Sequence, residues 1–273
     1  MPPKVDLYGN AYGNYEAEVY RQVRIETYGE DLGQTSWVTT EESAEIMDML
    51  QLRTASYVLE IGSGSGRYAL EMAGKVGCRV LGMDINRPGI HTANQLASEQ
   101  DLSGRVRFEY GDAAEPLPFG DATFDSAFSN DVLCHLRGRG NVLRELFRVL
   151  KPGGRLLFSD ALVVGGVISH EEIAKRSSIG FYLFSPPEEN ERMLREAGFA
   201  ILEARDTTAN ASGIAHRWHS ARQERAEALA GIEGPANFEG LQQFLMTVYI
   251  LTKERRLLRR LYLAERPGAA QTG

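Results

Sequence analysis

Val58-Leu59-Glu60-Ile61-Gly62-Ser63-Gly64-Ser65-Gly66-Arg67 is an apolar run that passes into a glycine loop and then into helix-forming residues. Glycine is needed where a backbone turns tightly and approaches a ligand closely. A helix that begins there offers free N–H groups to whatever binds. A dinucleotide-binding loop reads G-x-G-x-x-G, whereas the spacing here is G-x-G-x-G with Arg67 in sixth place. The loop points to a nucleoside-bearing ligand, with a ligand-free strand-to-helix turn as the alternative. Asp84 closes the next apolar run about 20 positions beyond Gly64, where a carboxylate can accept from both hydroxyls of an unphosphorylated ribose. Capping the following helix is the competing use of Asp84, but Asn86 is available for that. A third run ends at Tyr110-Gly111-Asp112-Ala113, and Asp112 can accept from an exocyclic adenine amine. A fourth delivers Ser129-Asn130-Asp131-Val132-Leu133-Cys134-His135-Leu136. His135 is the first candidate for a general base, because an imidazole titrates near neutrality. The alternative is a residue that orients its loop. Asp131, four residues earlier, suits either a cationic amine or the cap of the turn 132–136.

These groups meet only if the runs are parallel strands that end at one sheet edge. From residue 56 onward, strand-like runs alternate with amphipathic segments, the pattern of a parallel sheet covered by helices. Strands are expected at 57–61, 79–84, 106–110, 124–128, 155–159, 200–204 and 258–264. Asn86 with Pro88 opens one helix and Gly140-Asn141 another, which Pro152-Gly153-Gly154 stops. Thr39 with Glu42 reads as a capping box before Ile46, Met47 and Leu50. Three stretches fall outside the alternation: the first 50 residues, 161–186 and 207–256. They read as helical, and such additions gather at the carboxyl edge of a sheet, where ligands bind. The division expected is a helical cap over 1–51, one α/β domain over 52–266 with insertions at about 161–186 and 207–256, and a flexible tail over 267–273.

Composition sets the outer bounds. The chain has 273 residues, 43% hydrophobic and 25% charged, so disorder is excluded as the main state. Its longest apolar stretch, 161–168, is far short of the ~20 residues that span a bilayer. The opening MPPKVDLYGNAYGNYE has no hydrophobic signal core, and Cys78 with Cys134 make no disulfide framework. A cytoplasmic protein is expected. A net charge of −7 gives no general attraction to nucleic acid or to an anionic membrane. The basic run 253–260 precedes an apolar strand and reads as a solvated helix end. No metal is expected, since no further cysteine or histidine lies at zinc-ligand spacing from Cys134 and His135.

The stretches LEIGSGSG, GMDI, YGDAAEPLPFGDATFD, SNDVLCHL and ELFRVLKPGGRLLFSD, in this order, resemble class I S-adenosylmethionine-dependent methyltransferases. The likeness is close over about residues 56–160 and looser in the later strands. It implies a Rossmann-like α/β fold with a seven-stranded, mostly parallel sheet whose last strand is antiparallel. S-adenosylmethionine is the cofactor it implies, with Gly62, Ser63, Gly64 and Gly66 on the methionine part. By the same match Asp84 and Ile85 hold the ribose, and Asp112 with Ala113 the adenine. Ser129 and Asn130 fall where the methionyl end passes towards the acceptor. The segment Glu26-Thr27-Tyr28-Gly29-Glu30-Asp31-Leu32-Gly33-Gln34-Thr35-Ser36-Trp37 is similar to the opening of small-molecule members, among them sarcosine/dimethylglycine and phosphoethanolamine N-methyltransferases and sugar O-methyltransferases. That likeness adds Trp37 to the cofactor set. In the phosphoethanolamine group a histidine after the fourth strand pairs with an N-terminal tyrosine. His135 matches the histidine, and Tyr15 and Tyr12 are the candidates for its partner, as catalytic and substrate-binding residues with Asp131 beside them. The basic and tyrosine cluster that holds a phosphate in that group is not recognisable here.

Methyl transfer is an in-line displacement at an activated carbon, so the protein chiefly aligns the partners and excludes water. Tyrosine faces near a sulfonium contribute on the order of 0.5–2 kcal/mol by cation–π attraction. Ordinary packing, with Tyr15 and Val19 on one stripe, is the alternative for the N-terminal tyrosines. His216 and His219, around Trp218, either line the acceptor pocket or form a solvated face. The expected partner is a small-molecule methyl acceptor, methylated on oxygen or nitrogen, and a homodimer is compatible with the sequence. Two other functions stand beside this one. A nicotinamide-dependent oxidoreductase is opposed by the glycine spacing and by Asp112. An inactive S-adenosylmethionine-binding protein is opposed by an unbroken cofactor motif.

Overall fold

The computed structural model describes residues 5–31 and 33–268. Its strands are β1 (Tyr57–Ile61), β2 (Arg79–Asp84), β3 (Val106–Tyr110), β4 (Phe124–Ser129), β5 (Leu150–Val164), β6 (Ala200–Asp206) and β7 (Leu257–Glu265). They form a seven-stranded sheet in the order β3-β2-β1-β4-β5-β7-β6. β1 to β5 pair in parallel, and β7 lies antiparallel to both β5 and β6. The chain order reverses at β1, which has β2 on one side and β4 on the other, and a crevice opens at such a point beyond the carboxyl ends of the strands.

Alternate residues of each strand feed opposite faces. Leu59 and Ile61 of β1 join Leu81, Phe124 and Leu146 in one apolar cluster. Val58 joins Val80, Phe108 and Phe128 in the other. A strand covered on both faces needs the nearly continuous apolar run that β1 has. A third cluster belongs to the cap: Leu7, Tyr20 and Trp37 pack with Leu162 and Ile179 and with Trp218, Leu241 and Phe244. Three stretches distant in sequence thus share one apolar interior of their own.

Helices begin where their caps dictate. The Asn86 side chain accepts from Gly89 N (2.9 Å) and opens Arg87–Glu99, with Pro88 in its first turn. Thr39 accepts from Glu42 N (3.2 Å), which is one half of the expected capping box. The other half is absent because the Glu42 carboxylate turns to Arg259. Over 207–256 three helices follow one another, Thr208–Gln223, Ala226–Glu233 and Pro235–Lys253. The segment 161–186, expected to be helical, instead begins as the last residues of β5 and contains the single short helix His170–Arg176. β5 is longer than expected at both ends. Its pairing with β4 skips from Leu150 to Arg155 across Pro152-Gly153-Gly154, so the predicted turn survives as a bulge. Residues 267 and 268 lie in no helix or strand, and the rest of the expected tail falls outside the described residues. Among the described residues no helix is long and apolar enough to cross a membrane.

Arg259 of β7, 0% exposed, joins these parts. Its Nε donates to Asp131 Oδ1 (2.8 Å), and its Nη1 donates to both Glu42 oxygens (2.7 and 2.9 Å) and to the Thr207 hydroxyl (2.8 Å). Asp131 also accepts from the Ser159 hydroxyl (3.0 Å) and from Trp37 N (3.0 Å). Removing one partner of a buried ion pair strands the other, at a cost of roughly 3–5 kcal/mol. Arg259→Met is therefore expected to lower the urea-unfolding free energy by about that amount, and the triple change with Asp131→Asn and Glu42→Gln to recover part of it. An Arg259→Met protein as stable as the parent would mean that the cluster does not hold these elements together.

Candidate active site

A cavity of about 560 Å³ lies at the carboxyl ends of β1, β2 and β4. Its far wall carries Tyr8 and Tyr12, from the helix Tyr8–Gly13, and Phe244. Gly62, Gly64 and Gly66 have φ values of 79°, 52° and 86°, a left-handed region that L side chains rarely enter. Space demands glycine too: a Cβ on Gly62 would run into Val132, and one on Gly64 into the Tyr12 hydroxyl. Gly64 N donates to Asp84 Oδ2 (2.8 Å) and Asn86 N to Asp84 Oδ1 (2.7 Å). Each carboxylate oxygen accepts one such bond and keeps capacity for another. Burial raises the Asp84 carboxyl above its ordinary value, and the backbone N–H groups work against that rise.

Ile85, 61% exposed, flanks this end of the cavity with Asp112 and Ala113. Asp112 Oδ1 accepts from Ala114 N (2.9 Å). The buried Asn130 amide and Ser63 hydroxyl also line the wall, and neither side chain has a hydrogen-bond partner. Buried polar atoms are normally paired, so this stretch of wall presents donors and acceptors to a ligand.

The opposite end of the cavity is aromatic. His135 ends the short 3-10 turn Leu133–His135. Its Nδ1 lies 3.0 Å from the Phe181 carbonyl, which can only accept, so Nδ1 carries the proton. Nε2 is then a bare lone pair, and the Tyr8 hydroxyl, 3.3 Å away, donates to it. Tyr182 packs against the imidazole with ring centroids 4.2 Å apart. Burial, aided by the Arg176 charge and opposed by the Phe181 bond, lowers the imidazole to about 4. The ring is therefore neutral at neutral pH. Burial pushes the Cys134 thiol up, which leaves it unreactive.

The residues singled out in the sequence separate cleanly. Gly62, Ser63, Gly64, Asp84, Ile85, Asp112, Ala113, Asn130, Trp37, Tyr12 and His135 all line the one cavity. Gly66 does not: it caps the helix Arg67–Val76, and a Cβ there would run into Phe108 and Ala93. Ser129 does not. It is fully buried between strands, and its hydroxyl donates to Ile61 O (2.9 Å), tying β4 to β1. Tyr15 does not reach the cavity either, because it follows the helix Tyr8–Gly13 and its ring turns under Arg24, 4.6 Å away. Asp131 touches the cavity, but both its oxygens are engaged by Arg259, Ser159 and Trp37, so no free carboxylate awaits an amine there. His216 and His219 lie outside it, with the His216 ring against Tyr249 at 4.6 Å. Sequence reasoning missed Tyr8, Tyr182 and Arg176. A signal for Tyr8 existed: it stands one helical turn before Tyr12 and shares its face, with ring centroids 6.3 Å apart.

Residues 59–158 match a family model described as a methyltransferase domain. The chain is 34% identical over 238 residues to the 27-O-demethylrifamycin SV methyltransferase of Amycolatopsis mediterranei, covering 81% of this chain and 86% of that one. It is 31% identical to the sarcosine/dimethylglycine N-methyltransferase of Halorhodospira halochloris over 58% of this chain and 56% of that one. In solved structures the fold recurs in phosphoethanolamine N-methyltransferase 2 of Haemonchus contortus, with a TM-score of 0.78, 20% identity and coverage of 95% of this chain and 60% of that one. It recurs as well in the 4+2 cyclase SpnF, with a TM-score of 0.73, 22% identity and 98% coverage of both. The last two likenesses concern the fold alone. Identity that spans most of both chains, on a seven-stranded sheet with this crevice, makes the chain a member of the class I S-adenosylmethionine-dependent methyltransferases that act on small molecules.

Proposed function

We propose that the protein methylates a hydroxyl oxygen of a small-molecule acceptor, with neutral His135 as the base. One observation carries this reading. At the aromatic end of the cavity the neutral base is His135 Nε2, reached through the Tyr8 hydroxyl that donates to it, while the neighbouring carboxylate of Asp131 is consumed by Arg259, Ser159 and Trp37. An ammonium acceptor calls for a free carboxylate, and a hydroxyl calls for a neutral base. The name of the Amycolatopsis relative, which specifies an O-demethyl compound, supports the same choice.

The residues of the other end fit the methyl donor. The glycine loop leaves room for the amino-acid part, and the unpartnered Asn130 and Ser63 suit its polar groups. Asp84 retains lone pairs for two ribose hydroxyls, with Ile85 alongside and Asp112 and Ala113 at the base. Trp37 contributes to the wall. Bound S-adenosylmethionine supplies an electrophilic methyl group on a sulfonium. Tyr8 and His135 then move the proton of the acceptor. The acceptor hydroxyl passes it to the Tyr8 oxygen as Tyr8 passes its own to Nε2, and Nδ1–H keeps its bond to Phe181 throughout. Tyr8 ends neutral and His135 ends as an imidazolium.

Asp84→Ala is expected to weaken S-adenosylhomocysteine binding by roughly tenfold to a hundredfold, the worth of hydrogen bonds to a charged group. Calorimetry on a protein with unchanged circular dichroism tests this, and parental affinity would remove Asp84 from the binding role. Reduced nicotinamide cofactor should give no saturable fluorescence change; tight binding would favour the oxidoreductase reading.

His135→Ala should lose on the order of 10²–10⁴ in kcat at saturating cofactor, and Tyr8→Phe should lose in the same direction. In the parent, kcat/KM should rise with pH through about 4 and level above it, since His135 must be neutral to act. Stability follows the same sign. The unfolded chain binds this proton more tightly, so stability rises with pH between about 4 and 6.5. Near-parental turnover in His135→Ala across this range would reduce the residue to a structural one.

A further inference from the structure

The chain buries six arginines: Arg24, Arg67, Arg139, Arg176, Arg222 and Arg259. Five have carboxylate partners, namely Asp31, Glu30, Asp160, Glu233 and the pair Asp131 and Glu42. Arg176 is the exception. It is 1% exposed, makes no ion pair among the described residues, and leaves Nε and Nη1 without hydrogen-bond partners. It closes the helix His170–Arg176 and lines the aromatic end of the cavity. Its guanidinium lies over the Tyr182 ring (4.3 Å to the centroid) and beside that of Phe244 (5.1 Å). Ring faces attract a cation but accept none of its N–H bonds in the way an oxygen does. The titratable groups that sense its charge are Tyr8, Tyr182, Cys134 and His135, and all four are neutral near pH 7.

Resting on the reading of the cavity as a hydroxyl-methylating site, we propose that Arg176 is the counter-charge for a carboxylate on the acceptor, so that the molecule methylated is a hydroxy acid. A buried, unpaired guanidinium beside a roomy cavity is completed by an anion that arrives with the substrate. The donors that converge are the guanidinium and the Tyr182 hydroxyl beside it, since the Tyr8 hydroxyl proton is already given to His135. Of the other arginines that line the cavity, Arg67 is paired with Glu30, and Arg137 is solvent-exposed with its guanidinium over the Phe181 ring. Arg176 is thus the one buried unpaired cation among the described residues and matches a single negative charge better than the double charge of a phosphate monoester. Arg176 also depresses the basicity of His135, so an anion that neutralises it raises the base as the acceptor binds.

The test uses the full chain saturated with S-adenosylhomocysteine and labelled with 15N-arginine. The Arg176 Nε–H signal, identified by its loss in Arg176→Lys, is followed while benzoate, benzamide or phenyl phosphate is added. A saturable shift with benzoate and none with benzamide at equal concentration is expected. Benzoate affinity should fall by about tenfold or more in Arg176→Gln and less in Arg176→Lys. S-adenosylhomocysteine affinity should stay within about twofold in both variants, which separates this result from any failure of the cofactor assignment. Equal response to benzamide, no saturable shift with either anion, or benzoate affinity indifferent to both substitutions would overturn the proposal. A stronger response to phenyl phosphate than to benzoate would overturn the carboxylate and leave a phosphate in its place.

Discussion

A guanidinium taken out of water must find anions, and in this chain that requirement draws five separate stretches to one point. Arg259 comes from β7, Asp131 from the end of β4, Ser159 from β5, Glu42 from the helix Thr40–Met49, and Trp37 from the segment before it. Asp131 meets it in a left-handed backbone conformation (φ 59°), which costs a non-glycine residue more than a glycine. The same residue begins the turn that carries Cys134 and His135. The position of the imidazole therefore depends on an ion pair whose carboxylate is spent inside the protein rather than on the cavity.

The cavity divides by chemistry. One half is backbone and unpaired polar atoms: the glycine loop, Asp84, Asn130 and Ser63. The other half is rings, with Tyr8, Tyr182, Phe181 and Phe244 around His135 and Arg176. The first half demands small residues and fixed N–H directions, so it is built from the sheet's own strand ends. The second needs bulk and adaptable shape, so it is built from additions to the sheet. A fold that keeps the two apart can change its acceptor without disturbing its methyl donor.

The sheet and the polar half of the cavity were legible because their causes are local. Glycines at 62, 64 and 66, an acid at the end of β2 and an asparagine free to cap leave marks within a few residues of where they act. The acceptor half was not, because its causes are long-range. Tyr8 is bonded to a residue 127 positions away, and nothing near it in sequence distinguishes it from Tyr12 or Tyr15 except its place on the helix face. Asp131 looked free because Arg259 lies 128 positions further on. Ser129 looked ligand-facing because strand alternation does not reveal that its hydroxyl would be used by the neighbouring strand. The extra length of β5 was hidden by Pro152-Gly153-Gly154, which reads as a stop and acts as a bulge.

The cap's separate apolar interior has a kinetic consequence. Its members come from residues 5–37, from Cys134, from the end of β5 and the stretch after it, and from the helices before β7, so its contacts join parts of the chain far apart in sequence and carry a high loop-closure cost. A part held by such long-range contacts opens at less than the full cost of unfolding. The helices over the cavity share that interior with Cys134 and with the end of β5, so an opening there exposes the backbone amides of the helices while β1 and β4 stay paired. Access to the cavity beneath the cap and local unfolding of the cap then share one free-energy scale.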